Sequence, residues 1–422
     1  MMRTARTRGV IANHFTDPTE HRARARSPCI RKAMSYNAET AGPLRSASRL
    51  KLRTALQFAF CAAIFAASLV PAVLTLRKQP PDVEKVQELR KLAEFPSAWE
   101  GGALAVDKNY VAVDRWFNDN LAYRSLMIRL KNQLDYSLFR SSSRVYFGKR
   151  REIYGRNLLD NELPAAERLF ATDEAIEKTR NGVAAFDQRA RAQGVTVIWI
   201  APLQRAHFDQ SRLPFFAPRL PQPSRFFAFY NRLKQTPQLQ FVDLYALMRA
   251  EQSNFPLFFR QDFHWTDLSA RLVAMDVVAR IAKLEGSPKQ WAYPLEVEET
   301  PYVGSDMRFA ALLHAKPLVE PGVKKNWADV HVYNARSTAE TGLEFDTDSL
   351  PGKGLLPNTC LFGNSFSDGM VRVGLGDHFE SFTRFDRNGS VLQAPETARA
   401  RGCKYLIIQL LDISPAWSVF AS

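Results

Sequence analysis

Cysteine is scarce in this chain, with four in 422 residues. None falls in a Cys-x-x-Cys pair or a Cys/His metal spacing, which removes local zinc motifs and dithiol redox motifs from consideration. There is no internal repeat, which excludes solenoid and propeller arrays. Acidic residues are nearly missing from the first 53 positions, where three (17, 20 and 39) face 12 Lys and Arg. That segment carries +9 of the formal +14, so the other 369 residues carry only +5. The basic balance belongs to a tail, and it does not argue for a nucleic-acid partner. The sequence calls for no metal and no cofactor.

What is present begins where that tail ends. Residues 54–76 (TALQFAFCAAIFAASLVPAVLTL) carry no charge and are followed by Arg77 and Lys78. A bilayer span needs roughly 20 mostly apolar residues, and this stretch satisfies it. The basic excess on its N-terminal side predicts a cytoplasmic N-terminus and an exported remainder. A cleaved signal peptide is the competing reading, with Val70 and Ala72 as the small residues before a cut. The length of the apolar run favours an uncleaved anchor. Residues 1–53 read as a basic, disordered cytoplasmic tail, and Met34 would leave a leader of ordinary length if translation began there. On the exported side Cys360 and Cys403 have access to oxidising conditions. A disulfide between them and two buried thiols are both compatible with the sequence.

Residues 77–142 read as a stem. Pro80-Pro81 breaks any helix, and 82–95 has helical spacing with Val83, Val86, Leu89 and Leu92 on one side. Residues 110–140 read as one or two amphipathic helices, with Trp116, Phe117, Leu121, Leu126, Ile128, Leu130 and Leu134 on an apolar face. From about 143 the pattern turns α/β. SRVYFGKRREIYGR reads as a hairpin, and 164–192 as one long helix ending at Gly194. GVTVIWIAP, FVDLYALM, NTCLFGNSF and CKYLIIQLLDI contain the nearly continuous apolar runs of strands buried on both faces, with FVDLYALM running on into a helix. Helices between them predict a three-layer α/β/α domain with a parallel sheet over 143–422. Residues 286–350 are weakly periodic and read as loops with short strands.

Two motifs carry chemistry. DFHWTD holds Asp262, His264 and Trp265; LFGNSFSDG holds Ser365 just beyond a strand. Ligands of open parallel sheets bind beyond the carboxyl ends of the strands. There Ser365 can present its hydroxyl, and the backbone N–H groups at Gly363 and Ser365 can meet an oxyanion. A serine after a strand also commonly caps the next helix, so both roles stay open. In an extended segment Asp262 and His264 point to the same face, which lets the carboxylate orient the imidazole. The bland alternative is a lone loop histidine. No second His lies within metal-ligand spacing of His264. His378, close to Ser365 in sequence, is the rival base. Arg205 and His207, after the GVTVIWIAP strand, are candidate substrate contacts, as is Trp265. Phe258, Phe259, Phe263 and Trp265 could form a sugar-stacking surface, although aromatics this dense are commonly core.

Taken in order, the AEFP stretch, WFNDNLAYRSLMIRLKNQL, RVYFGKRREIYGRN, GVTVIWIAP, FRQDFHWTDLSA and LFGNSFSDG resemble the exported alginate O-acetyltransferase family with its SGNH-hydrolase-like domain. The resemblance runs from about residue 90 to the C-terminus. It implies Ser365 as nucleophile, His264 as base and Asp262 as its orienter. It further implies an exported polysaccharide as acceptor, and acetyl groups supplied through a multi-span membrane acyltransferase. Three departures stand out. Asn364 replaces the usual Asp before the serine. Leu203-Gln204-Arg205 follows Pro202 where a Lys is usual. Arg151, Glu152, Ile153 and Tyr154 occupy the hairpin position of a Gly-Trp pair. The reading is an inner-membrane, single-pass O-acetyltransferase with a periplasmic catalytic domain. An exported acetyl esterase with the same residues and a catalytically idle scaffold of an export complex are its alternatives.

Overall fold

The computed structural model describes residues 44–77, 86, 91–96, 106–294, 296–335, 344–385 and 389–421. The expectations for 1–43, including Met34 and Cys29, and for most of the stem around Val83 and Leu89 lie outside the described residues. By contacts the chain divides into two units, 1–68 and 69–422. The segment Leu44–Leu76 is one helix, so helix begins ten residues before the apolar run and includes the end of the tail expected to be disordered. Its portion Leu52–Leu76 is long and apolar enough to cross a membrane.

Residues 91–96 are not helical, against the spacing. Their backbone is bonded elsewhere: Ala93 N–H donates to Asp119 (2.9 Å), and Asn120 donates to the Ala93 carbonyl (3.0 Å). Two helices follow, Val106–Asn120 and Arg124–Phe139. Between them Tyr123 adopts a left-handed conformation (φ 61°), which ends one helix and re-aims the next. The apolar face expected of the second helix is not core. No side chain of Arg124–Phe139 is fully buried.

The strands among the described residues are β1 (Val145–Phe147), β2 (Ile153–Gly155), β3 (Thr196–Ile200), β4 (Gln240–Phe241), β5 (Val297–Tyr302), β6 (Leu318–Val323), β7 (Tyr333–Ala335), β8 (Phe345–Thr347), β9 (Thr359–Phe362), β10 (Phe382–Arg384) and β11 (Tyr405–Gln409). β1 and β2 form the expected antiparallel hairpin. The main sheet has the order β4-β3-β11-β9-β10-β8-β7. Its first five strands are parallel, and β8 and β7 add an antiparallel edge. The sheet is therefore mixed rather than wholly parallel. The central strands β9 and β11 are buried at every residue. That requires cover on both faces, which is why their sequences run apolar without alternation. The FVDLYALM run is mostly helix: only its first residue is in β4, and Leu244–Glu251 is helical.

The helix expected over 164–192 is two, Leu163–Leu169 and Asp173–Ala192. Thr172 breaks it, in extended conformation, and its hydroxyl accepts from Ala175 N–H at 3.1 Å. That cap satisfies an orphan donor which a continuous helix would not leave. Cys360 in β9 and Cys403, just before β11, form a disulfide between neighbouring strands. It closes the choice that the sequence left open.

Candidate active site

Ser365 sits just beyond the end of β9, Asp262 and His264 sit in the loop between the helices Leu244–Glu251 and Asp267–Leu284, and a set of specific contacts staples the two motifs together. A bridge between Phe258 and Trp265 and a bond from Phe259 N–H to the His264 carbonyl (3.2 Å) close residues 259–264 into a tight loop. Thr266 then caps the helix Asp267–Leu284 through Ser269 N–H. Trp265 donates its indole N–H to the Phe366 carbonyl at 2.8 Å, joining this loop to the turn after β9. The helices on either side approach closely at Gly369. A Cβ there would lie 2.8 Å from that of Ala270.

Within that frame Asp262, His264 and Ser365 lie in line. His264 Nδ1 is 2.7 Å from Asp262 Oδ1, and His264 Nε2 is 2.7 Å from Ser365 Oγ. A carboxylate can only accept, so Nδ1 carries the proton and the Nε2 lone pair faces the serine. The approach differs in backbone detail from the sequence reading. The segment bends instead of running extended, and Asp262 Oδ1 also accepts from His264 N–H at 3.0 Å. Asp262 is almost wholly buried, whereas His264 retains 22% side-chain exposure. Phe263 and Phe366 pack against its ring, at 4.1 and 4.9 Å between centroids.

Ser365 is not a capping side chain. It stands at the N-cap position of the helix Phe366–Arg372 without a side-chain cap bond. Asn364 takes the capping work instead: its Oδ1 accepts from Phe366 N–H at 3.0 Å, and its carbonyl accepts from the Ser367 hydroxyl (2.6 Å) and from Arg384 (3.0 Å). Asn364 thereby frees the neighbouring hydroxyl for His264. Gly363 is required by space: a Cβ would lie 2.6 Å from Gln409 Oε1 and 3.1 Å from Ser367 Oγ.

Two residues that the sequence reading missed, Tyr302 and Ser305, hold Asp262 through three hydrogen bonds. Tyr302 donates to Oδ2 at 2.5 Å, Ser305 N–H donates to Oδ2 at 3.0 Å, and the Ser305 hydroxyl donates to Oδ1 at 2.7 Å. Gly304 lets that segment approach, since a Cβ there would lie 2.1 Å from the Gln261 carbonyl oxygen. Burial alone would raise the Asp262 carboxyl, but the bond and charge of His264 and the Tyr302 hydroxyl outweigh it. The carboxyl is held well below its ordinary range. Nearby Asp306 goes the other way: full burial, then the charge of Asp262, push it well above that range. The surroundings thus move the two carboxyls in opposite directions. The one sequence signal for this segment was Gly-Ser-Asp, a helix start at 304–306.

The expected substrate contacts Arg205, His207 and Trp265 are buried and take structural roles. Arg205 donates to the carbonyls of Phe259 and Asp262 (2.5 Å for the latter) and lies over the Tyr154 ring, so it braces the loop that carries the carboxylate. His207 pairs with Asp412 at 2.8 Å. Phe258, Phe259 and Trp265 are core rather than a sugar-stacking surface. The rival base His378 is completely buried, stacked on Trp291 and bonded to the Gly374 carbonyl and to Ala292 N–H. Burial lowers it to about 4, so it stays neutral. Among the described residues no group of three or more His, Cys, Asp or Glu could hold a metal ion.

Comparison with known proteins adds a family. No curated protein matches the sequence. Among solved structures, the O-acetyltransferase domain of Pseudomonas putida AlgJ is 14% identical with a TM-score of 0.43, over 64% of this chain and 91% of that one. Bacillus cereus PatB1 is 13% identical (TM-score 0.42; 57% and 92%), and Pseudomonas aeruginosa AlgX is 14% identical (TM-score 0.39; 66% of each). The family model described as the SGNH hydrolase-like domain of the acetyltransferase AlgX matches residues 163–384, a stretch that includes Asp262, His264 and Ser365. With more than half of its length matched, the chain belongs to this family of SGNH hydrolase-like acetyltransferase domains.

Proposed function

We propose that the protein is an O-acetyltransferase that carries an acetyl group on Ser365 and delivers it to hydroxyls of an exported polysaccharide. The observation that carries this reading is the pair of 2.7 Å contacts linking Asp262, His264 and Ser365. His264 Nε2 takes the Ser365 proton as Oγ bonds to the carbonyl carbon of an acetyl donor. Asp262 stabilises the imidazolium that results. The Ser365 backbone N–H, with that of Gly363, faces the oxyanion. Collapse breaks the bond to the donor's leaving group, which leaves with the proton from His264. A sugar hydroxyl then gives its proton to His264, attacks the acetyl-serine carbonyl and departs as the acetyl ester. The proton returns to Ser365 Oγ.

The helix Leu52–Leu76 would anchor the protein in the inner membrane, and the basic excess of residues 1–53 would hold the N-terminus in the cytoplasm. The catalytic domain then faces the periplasm, where a multi-span membrane acyltransferase can load Ser365 and the polymer can accept. The test is acetyl transfer from an activated ester to polysaccharide fragments by the wild type and by Ser365→Ala. Acceptor-dependent product lost in the variant supports transfer. Acetate release that no acceptor redirects would make the protein an esterase. Equal product from both proteins would rule out the serine mechanism.

A further inference from the structure

The helix Arg124–Phe139 is amphipathic in the wrong sense for a core helix. Its polar side faces the protein: Asn132 donates to the Ala310 carbonyl at 3.0 Å, and Gln133 accepts from His314 N–H at 3.1 Å. Tyr136 joins that side by packing on Phe147, at 4.5 Å between ring centroids. Its leucines face away. Leu126, Leu130, Leu134 and Leu138 follow one another at four-residue steps, which places them on one face. They are 37, 47, 52 and 69% exposed. A contiguous apolar stripe of this kind marks an interaction surface.

The start of this helix lies beside the end of the membrane-crossing helix. Ala122, two residues before Arg124, donates its backbone N–H to the hydroxyl of Thr75 at 2.7 Å. Thr75 is the last residue but one of the helix that ends at Leu76. Both residues belong to the compact unit 69–422. The leucine stripe therefore begins at the level where the apolar span ends. Lys131 borders the stripe, 69% exposed and paired with Asp135 at 2.6 Å, and a long basic side chain at such a border can reach lipid headgroups while its stem stays on apolar surface.

We propose that the outward face of Arg124–Phe139 lies in the bilayer surface, with Leu126, Leu130, Leu134 and Leu138 in the boundary between headgroups and acyl chains. This inference rests on reading Leu52–Leu76 as a membrane span. It fixes the catalytic domain against the membrane, where an acetyl donor embedded in that membrane can reach it.

The test uses the full chain with Cys29 and Cys61 changed to Ser, reconstituted in vesicles of phosphatidylethanolamine and phosphatidylglycerol. Single variants Leu130→Cys, Leu134→Cys and Phe65→Cys carry an environment-sensitive nitrobenzoxadiazole label. The expected result for positions 130 and 134 is blue-shifted emission, quenching by nitroxide-labelled lipid and loss of quenching by aqueous iodide. Iodide quenching at both positions, with Phe65 shielded in lipid, would overturn this inference alone. Labels at 130 and 134 that neither quencher reaches would also overturn it, because protein rather than lipid would then cover the stripe. A Phe65 label in water would overturn the span reading and this inference with it.

Discussion

Tyr302 donates its hydroxyl to Asp262 Oδ2 at 2.5 Å, from the end of a strand 40 residues further along the chain. The aromatic ring is separately anchored, stacked on Phe259 at 4.6 Å, so Tyr302→Phe removes the hydrogen bond and leaves the packing. A bond to a charged acceptor contributes about 1.5–3 kcal/mol, and a loss of that size is expected in urea unfolding at neutral pH. Because the Asp262 carboxyl is depressed in the folded state, its stabilisation is present above the unfolded value of about 3.9 and fades as pH falls toward the folded one. Tyr302→Phe raises the folded value, so acid unfolding should begin at higher pH than in the wild type. An unmoved acid transition would contradict this role.

Gly304 leaves no room for a side chain: a Cβ would sit 2.1 Å from the Gln261 carbonyl oxygen and 2.7 Å from Asp262 Cβ. Gly304→Ala must push the loop that carries the carboxylate. A displacement near 1 Å costs on the order of 100-fold in rate. The expected outcome is that drop in kcat, with Ser365 still present in a folded protein by circular dichroism. Unchanged kcat would mean that the loop can yield without moving Asp262.

His378 is the second histidine whose surroundings set its behaviour. Its folded value is lowered to about 4 by burial, from an ordinary 6.5. Its stabilising contribution is therefore complete above 6.5 and is lost as pH falls through 4. Across that window the loss approaches about 3 kcal/mol. His378→Gln should flatten the dependence of unfolding free energy on pH between 7 and 4. A wild-type curve that is already flat there would contradict it.

The Cys360–Cys403 disulfide ties β9 to the start of β11 across a sequence separation of 43 residues. A loop of that length is worth roughly 4 kcal/mol in chain entropy. The double variant Cys360→Ser, Cys403→Ser should lose about 2–4 kcal/mol in chemical unfolding under oxidising conditions. Equal stability of the two proteins would show that the bond does not form in the mature protein.

The parts of this molecule that were legible in its sequence are those whose surroundings are uniform. GVTVIWIAP and CKYLIIQLLDI are apolar throughout because both faces of β3 and β11 are covered. Ser365 stood out because a strand end and a Gly-bearing turn mark it, and Asp262 and His264 because their two-residue spacing precedes a helix start. Tyr302 and Ser305 did not, since β5 is exposed along most of its length and offers no apolar pattern. Arg205 read as a candidate substrate contact because a sequence does not show that two loop carbonyls will surround its guanidinium. The leucines of Arg124–Phe139 announced an apolar face correctly, but periodicity does not say what covers it. The break at Thr172 was hidden for a similar reason: helical spacing continues on both sides of a cap.

The central claim is that Ser365 Oγ accepts an acetyl group. Its most direct test is intact mass of the full chain after brief exposure to an activated acetyl ester, with Ser365→Ala measured beside it. The account expects one acetyl adduct on the wild type and none on the variant. The adduct should disappear when polysaccharide fragments are added, with matching acetyl esters on the sugar. An adduct of equal yield on both proteins, or none on either with no ester turnover, would contradict it.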